Sequence, residues 1–190
     1  MIKIAIAGAA GRMGTTLAQV IHQTEGMRLV GALEQPDSSV IGADIGEMSG
    51  LGKIDLPISH SLRDLLGTID ILIDFSSPDA TAFNAINCAN KGVKLVVGTT
   101  GLSKEHLAAV RSASEQIPIC MASNFSTGVN LCLKLAALAA EILGNEVDIE
   151  ISEAHHRDKV DSPSGTALAL GASVADALKR DLDEGAVYGR

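Results

Sequence analysis

Short runs of aliphatic residues recur along the first two thirds of the chain, and each run ends in small or polar residues. Strands that are buried on both faces of a parallel sheet have this format, because both sides of each strand must be apolar. The runs are IKIAIAG (2–8), MRLVGALE (27–34), DILIDFS (70–76), KLVVGTT (94–100) and IPICMAS (117–123). The pattern therefore predicts five strands of one parallel sheet.

Helical patterns lie between these runs. Apolar residues recur at helical spacing over 13–21, after the first run. Ser77 and Pro78 predict the N-cap and first residue of a second helix that ends near Gly92, and Ser103 predicts the cap of a third. The Gly-, Ser- and Asp-rich stretch between the second and third runs is predicted as a long loop with a short strand near IDLPIS. This alternation predicts an α/β fold, a Rossmann-type doubly wound parallel sheet with right-handed crossovers.

The pattern changes after the fifth run. VNLCLKLAALAAEILG (129–144) is predicted as a long helix that is apolar on most of its surface and is therefore buried between two layers. Its main apolar stripe consists of Leu131, Leu135, Leu138 and Ile142. The alternation in NEVDIEISEAHH (145–156) predicts a strand. We predict a dinucleotide-binding domain over 1–126 and, over 127–190, the start of an α+β domain for substrate binding and tetramerisation. That second domain is expected to continue beyond this sequence, because one strand and two helices cannot bury a sheet face.

A Gly-rich turn, GAAGRMG (8–14), follows the first predicted strand and opens the first helix. Backbone N–H groups and a helix N-terminus in this position face an anion such as a pyrophosphate. The spacing is G-x-x-G-x-x-G, because Ala10 occupies the middle position. Glu34 ends the second run, where a carboxylate accepts ribose hydroxyls. Gln35 offers no cation to a 2′-phosphate, although Arg12 could, so the sequence favours NADH with NADPH tolerated. The alternative is a tight strand–helix turn beside a solvated glutamate.

Polar residues also follow three of the other predicted strands. They form Phe75-Ser76-Ser77, Gly98-Thr99-Thr100 and Ser123-Asn124-Phe125. Ligands of open α/β sheets bind at the carboxyl ends of strands, so these segments are predicted to line the same crevice. Each segment taken singly is better explained as a polar loop that binds no ligand, but three at the same sheet edge favour a ligand site.

The stretch EAHHRDKVDSPSGTA (153–167) places two His, an Arg and a Lys within five positions. A metal site is not predicted, because His155 and His156 on a strand point to opposite faces and no Cys or carboxylate cluster stands at ligand spacing. The chain also lacks a G-x-S-x-G elbow for a serine nucleophile and a G-x-x-x-x-G-K-[ST] loop for a nucleoside triphosphate.

An anion clamp fits the same stretch. Ser162 is predicted as an N-cap and Pro163 as the first helical residue, so the next residues would present free N–H groups to a carboxylate or phosphate. Lys159 and the two histidines add charged donors. The alternative is a well-capped helix after a basic surface loop. Beside a dinucleotide fold, the clamp predicts an anionic substrate next to a nicotinamide, with a His or Lys giving a proton.

Composition and charge narrow the class of protein. A net charge of −8 argues against nucleic-acid binding and makes the basic cluster a local feature suited to a small anion. Cys88, Cys120 and Cys132 are predicted to be reduced core thiols of a cytoplasmic protein. The first apolar run breaks at Gly8 and Arg12 follows, so no signal peptide is predicted. No run approaches the length of a membrane span.

These residues resemble a known family. GAAGRMG, the strand end ALE, DFSSP, GTTG, ASNFSTGVN and above all EAHHRDKVDSPSGTA are similar to 4-hydroxy-tetrahydrodipicolinate (dihydrodipicolinate) reductases, in the same order along the whole chain. The resemblance implies transfer of a hydride from NADH or NADPH to a cyclic dicarboxylate imine, giving tetrahydrodipicolinate in diaminopimelate and lysine biosynthesis. It also implies a homotetramer built through sheets of the second domain.

The resemblance further implies roles for individual residues. His155 would be the general acid/base and Lys159 a proton donor. The substrate carboxylates would be held by His156, Gly165 and Thr166. The cofactor would be lined by Gly8, Ala9, Ala10, Gly11, Arg12, Met13, Glu34, Gly98, Thr99, Thr100, Ala122, Ser123, Asn124 and Phe125.

The sequence departs from the commonest family pattern in two residues and in its length. Ala10 and Gln35 differ from the commonest family residues, which affects cofactor preference and not the reaction. Family members continue beyond Arg190, so the chain is expected to be a fragment that lacks most of the tetramer sheet. The rivals are a dehydrogenase of another small acid, such as a semialdehyde reductase, and a module that binds NAD(H) without turnover. Cys120 and Cys132 lack a neighbouring base in the sequence, which disfavours the first rival.

Overall fold

A computed structural model describes residues 1–155, 157 and 162–189, and the chain divides into two compact units, Met1–Ala122 and Ser123–Arg190. The first unit holds a parallel sheet of six strands in the order β3-β2-β1-β4-β5-β6. The strands are β1 (Ile2–Ala7), β2 (Met27–Leu33), β3 (Ile58–Ser59), β4 (Ile71–Asp74), β5 (Lys94–Val97) and β6 (Ile119–Met121). The helices are α1 (Arg12–Gln23), α2 (Ile45–Met48), α3 (Leu62–Leu65), α4 (Pro78–Ala89) and α5 (Lys104–Ser114). The predicted doubly wound α/β fold class is confirmed.

The centre of this sheet explains why the aliphatic runs form strands. Successive side chains of β1 point to opposite faces, so Ala5 and Ala7 join one core while Ile4 and Ile6 join the other. The first core lies under α4 and α5, and the second lies under α1 and α2. Both faces are covered, as a parallel sheet requires.

The segment between β2 and β3 is more ordered than the predicted loop. The side chain of Asp44 caps α2 and accepts four backbone N–H groups, those of Gly46 at 2.8 Å, Glu47 at 3.2 Å, Ile54 at 3.2 Å and Leu56 at 2.9 Å. Desolvation alone would raise the pKa of Asp44, but these four donors hold that pKa below its ordinary value. The short strand predicted near IDLPIS is β3.

Among its described residues, the second unit contains helices and no strands. They are α6 (Thr127–Leu143), a 3₁₀ turn (Gly144–Glu146), α7 (Gly165–Ala177) and α8 (Leu182–Gly185). α7 packs against α6, and the Ser173 hydroxyl donates to the Leu133 carbonyl at 3.1 Å. The domain boundary predicted between residues 126 and 127 stays a prediction.

The prediction that the long helix is buried between two layers is wrong. Only Ala140 of α6 is buried, and the apolar stripe from Leu131 to Ile142 has side chains that are 52–73% exposed. The sequence shows that a face is apolar but not which element covers it.

Thr127–Glu146 is also long and apolar enough to cross a membrane by length and composition, so the expectation that no run approaches that length is wrong as well.

The strand predicted over 145–156 is absent from its described part, residues 145–155. Val147, Ile149 and Ile151 alternate as expected, but each is about two-fifths exposed, at 40–41%, and the backbone forms no ladder. A strand needs a neighbour for its backbone N–H and C=O groups. No partner strand is present among the described residues of the second unit.

Candidate active site

The Gly-rich turn has a geometry that only glycine permits. Gly8 has a φ of +76°, and the N–H groups of Gly8 and Ala9 both donate to the Leu33 carbonyl at 3.0 Å. A Cβ on Gly14 would stand 2.2 Å from the Gly8 oxygen and 2.4 Å from the Ala9 oxygen. Helix α1 therefore starts directly against the turn, as a dinucleotide cradle requires.

The start of α1 is open towards a ligand. Gly11 is its N-cap and supplies no side-chain cap, so the first-turn N–H groups keep their capacity to bind an anion. Arg12 and Met13 occupy the first two helical positions and are exposed, while Ala10 is half-buried. These residues fit the pyrophosphate of a dinucleotide.

Glu34 lies at the carboxyl ends of the strands, where the Gly-rich turn also lies. It follows Leu33, which pairs with Ala7 at the end of β1. The Glu34 N–H donates to the Ser59 carbonyl at 2.9 Å, and the side chain is half-buried. The carboxylate is therefore held one strand away from the turn, the position in which this fold binds ribose hydroxyls.

The loops after β4 and β5 are joined by a buried carboxylate that the sequence analysis missed. Asp74 is 0% exposed and accepts the Ser76 N–H at 3.0 Å, the Thr99 hydroxyl at 3.3 Å and the Asn84 side-chain amide at 2.8 Å. The Ser76 hydroxyl also donates to it. A charged residue inside the aliphatic run 70–76 was the available signal, because such a charge must be satisfied if it is buried.

The predicted residues of the loop after β5 fall into three kinds. Gly98 leaves room for the ring of Phe75, since a Cβ there would stand 2.1 Å from a ring carbon. The Thr99 hydroxyl is buried and is used within the Asp74 network, where it also accepts from Thr81 at 2.8 Å. Thr100 is exposed and is the member whose side chain faces outward.

The segment after β6 spans the boundary of the two units. The Ala122 N–H, in the first unit, donates to the Val97 carbonyl at 3.2 Å. In the second unit, the Asn124 side chain accepts the Ser126 N–H at 2.8 Å, which fixes the entry to α6. Ser123 and Phe125 are exposed.

The described part of 153–167 centres on Glu153. Its Oε2 lies 3.0 Å from His155 Nε2, and its Oε1 accepts the Ser164 N–H at 2.9 Å. The Ser164 hydroxyl donates to the same carboxylate. The Ser164 hydroxyl and N–H, followed by His155, lower the pKa of Glu153 to about 2.

Helix α7 begins at a different residue from the one predicted. Ser164 is the N-cap and accepts the Ala167 N–H at 3.0 Å, so Ser162 and Pro163 precede the helix. Two serines compete for the cap in this stretch, and the contact of Ser164 with Glu153 decides between them. Gly165 and Thr166 become the first two helical residues, whose N–H groups have no acceptor within the helix.

Lys159 and His156 lie outside the described residues. His155 is described and is exposed, as is Arg157.

Of the three free cysteines, Cys88 is buried, but Cys120 and Cys132 are exposed, so the prediction of core thiols holds only for Cys88. Burial, followed by the nearby charge of Asp74, raises the pKa of Cys88 to about 12.

The Gly-rich turn at the end of β1, the acidic residue after β2 and the strand order of the sheet define a dinucleotide-binding protein of Rossmann type. Residues 2–125 match the family model for the dihydrodipicolinate reductase N-terminus, and residues 128–188 match that for the C-terminus. The chain belongs to the dihydrodipicolinate reductase family.

Relatives agree with this assignment. The chain is 54% identical to the 4-hydroxy-tetrahydrodipicolinate reductase of Alkalilimnicola ehrlichii and 52% identical to that of Saccharophagus degradans, over 99% of its own length and 70% of each relative. The structure of dipicolinate-bound dihydrodipicolinate reductase from Paenisporosarcina sp. TG-14 matches with a TM-score of 0.74 and 30% identity, over 93% of this chain and 66% of that one. The chain thus spans about two thirds of the length of these proteins.

The family reduces 4-hydroxy-tetrahydrodipicolinate with NADH or NADPH in diaminopimelate and lysine biosynthesis, and its members are soluble biosynthetic enzymes. The predicted family, enzyme class, reaction and cofactors are therefore confirmed at the level of the family. The roles of individual residues stay predictions, as do the tetramer and the cytoplasmic location.

Proposed function

We propose that the protein reduces 4-hydroxy-tetrahydrodipicolinate to tetrahydrodipicolinate, with NADH preferred and NADPH accepted. The observation that carries this proposal is the pairing of two features in one chain of this family. The first unit has a glycine cradle at the end of β1, and the second unit holds His155 against a carboxylate at the start of α7.

The first unit supplies the proposed cofactor site. A bound nicotinamide cofactor supplies a hydride. The N–H groups of the first residues of α1 hold the pyrophosphate, and Glu34 accepts ribose hydroxyls. The remaining predicted lining is Gly98, Thr99, Thr100, Ala122, Ser123, Asn124 and Phe125. Within it, the Asp74 network gives the loop of Thr99 a fixed shape.

The second unit supplies the proposed substrate site. The 4-hydroxyl group of the substrate leaves as water, because the product lacks it. The ring that accepts the hydride is left with an anionic centre that must gain a proton, and a His can give that proton near neutral pH. We assign this step to His155, with Lys159 as a further donor. His156 and the first-turn N–H groups of Gly165 and Thr166 hold the two carboxylates. A dipicolinate-bound relative supports a small dicarboxylate ligand.

We also propose an oligomeric state and a cellular compartment for the protein. The exposed apolar stripe of α6 supports burial of that face in the working protein, because contiguous exposed apolar surface marks a contact site. We infer a homotetramer in the cytoplasm with no nucleic-acid or membrane partner. Light scattering after size exclusion tests the tetramer, and a monomer would contradict it.

A coupled assay tests the reaction. The product of dihydrodipicolinate synthase is supplied with NADH or NADPH in separate cuvettes, and oxidation of the cofactor is followed by absorbance. We expect oxidation with both cofactors and a loss of about 100-fold or more in His155→Gln, because general acid–base catalysis contributes at least that much. No oxidation in a protein that still binds NADH would contradict the substrate and favour a binding module or another dehydrogenase.

A further inference from the structure

The carboxylate of Glu153 receives three donors from two places in the chain. His155 Nε2 stands 3.0 Å from Oε2, the Ser164 N–H donates to Oε1 at 2.9 Å, and the Ser164 hydroxyl donates to Oε2. We propose that Glu153 is the positioning residue of the acid/base: it fixes the ring of His155 to the start of α7 and leaves Nδ1 as the nitrogen that serves the substrate. This inference rests on the proposed role of His155.

The choice of nitrogen follows from the chemistry of the partner. An ionised carboxylate accepts hydrogen bonds and donates none, so the ring nitrogen facing it must carry a hydrogen. Nε2 is therefore protonated in both charge states of the ring. Only Nδ1 gains and loses a proton, and proton transfer to the substrate must use that atom.

The carboxylate is itself held in place. Ser164 is 4% exposed, and its hydroxyl donates to Glu153 while it accepts the Ala167 N–H at 3.0 Å. The pKa of Glu153, lowered to about 2 mainly by Ser164, keeps the carboxylate charged at neutral pH. Because Ser164 caps α7, the ring of His155 is tied to the same first turn that carries Gly165 and Thr166. The hydrogen bonds among Glu153, His155 and Ser164 thus orient both the proton donor and the proposed carboxylate site.

Glu153→Gln reverses the hydrogen-bond polarity with almost no change of shape. The Ser164 N–H is a fixed donor, so it selects the amide oxygen at the Oε1 position. The amide NH₂ then takes the place of Oε2 and faces His155 Nε2. Against a donor, the neutral ring must accept at Nε2 and carry its hydrogen on Nδ1. The substitution therefore exchanges the tautomer of His155.

Nitrogen-15 NMR of the His155 ring reads the tautomer without any assay of turnover. We expect the Nε2–H form in the wild type and the Nδ1–H form in Glu153→Gln. We also expect kcat to fall by about 100-fold or more, because a wrong tautomer removes general acid–base catalysis. The NADH dissociation constant should stay near wild type, whereas Tm should fall at neutral pH, because the Ser164 hydroxyl loses its carboxylate acceptor. The matched control is Asp148→Asn, which removes an exposed carboxylate from the same segment and should change neither tautomer nor kcat.

Combination with His155→Gln separates this inference from the proposed function. If Glu153 acts through His155, Glu153→Gln causes no further loss of kcat once His155 is replaced. Additive losses, or an unchanged tautomer in Glu153→Gln, would overturn the inference. A His155→Gln variant with normal kcat would instead remove the role of His155, while the NMR result would still decide the contact. Should Glu153→Gln unfold, Glu153→Asp takes its place: it restores a carboxylate, so the Nε2–H form is expected, and the Nδ1–H form there would contradict the inference.

Discussion

The side-chain amide of Asn84 donates to Asp74 across 2.8 Å, and both residues are buried in the first unit. Asn84 lies on α4, and Asp74 ends β4. Ser76 and Thr99 donate to the other carboxylate oxygen. The charge therefore stays buried because polar groups from a strand end, a helix and a neighbouring loop converge on it.

This relationship predicts that Asp74→Asn is costly although it preserves shape. An amide has one acceptor oxygen where the carboxylate has two, so at least one buried donor of the network loses its acceptor. We expect a loss of about 1–3 kcal/mol in the free energy of unfolding, measured by urea denaturation. Asp37→Asn, in an exposed loop, is the control and should change stability by less than about 0.5 kcal/mol. Equal effects of the two substitutions would contradict the network.

Much of the first unit is predictable because its signal is local. The aliphatic runs mark β1, β2, β4, β5 and β6, and the prolonged apolar pattern of each strand needs no knowledge of its partner. Asp74 is harder, because a carboxylate at a strand end has the same sequence whether it is solvated or buried. Its burial depends on Asn84 and Thr99, which stand 10 and 25 positions further along the chain.

The second unit is less predictable because its signals depend on partners that lie far along the chain or outside its described residues. The alternation at Val147, Ile149 and Ile151 is that of a strand, but a strand forms only where a neighbour accepts its hydrogen bonds. The cap of α7 likewise could not be chosen between Ser162 and Ser164 from spacing alone. The N–H of Ser164 donates to Glu153, 11 positions earlier in the chain, and this contact favours Ser164 as the cap. The same carboxylate also contacts His155 and orients its ring.

The glycine cradle gives a second prediction. A Cβ on Gly14 meets two backbone oxygens, at 2.2 and 2.4 Å, and neither can move without opening the turn. We expect Gly14→Ala to weaken NADH binding by at least about tenfold, or 1.4 kcal/mol, measured by titration calorimetry. Gly67→Ala is the control, because its Cβ would meet no atom within 4 Å. Unchanged binding in Gly14→Ala would show that the turn does not form the cofactor site.

The residue after Glu34 gives a third prediction, on cofactor preference. Gln35 is exposed and uncharged, so it gives a 2′-phosphate no cation. Gln35→Arg should tighten NADPH binding relative to NADH by about tenfold, because a guanidinium pairs with a phosphate through two hydrogen bonds. Gln23→Arg adds the same charge at the exposed end of α1 and should leave the ratio unchanged. An equal shift in both variants would indicate general attraction by charge rather than contact at residue 35.

The depressed pKa of Glu153 gives a fourth prediction, on stability against pH. The hydroxyl and N–H of Ser164, with His155, lower this pKa from 4.5 to about 2 in the folded protein. Between these values the unfolded chain binds more protons than the folded chain, so stability rises with pH across this window. The contribution is complete above pH 4.5 and is lost as the pH falls towards 2. We expect the difference in Tm between wild type and Glu153→Gln to shrink steadily over that range. The lowered pKa values of Asp44 and Glu105 act equally in both proteins, so the difference isolates Glu153. A difference that stays constant with pH would mean that Ser164 and His155 do not hold the carboxylate in solution.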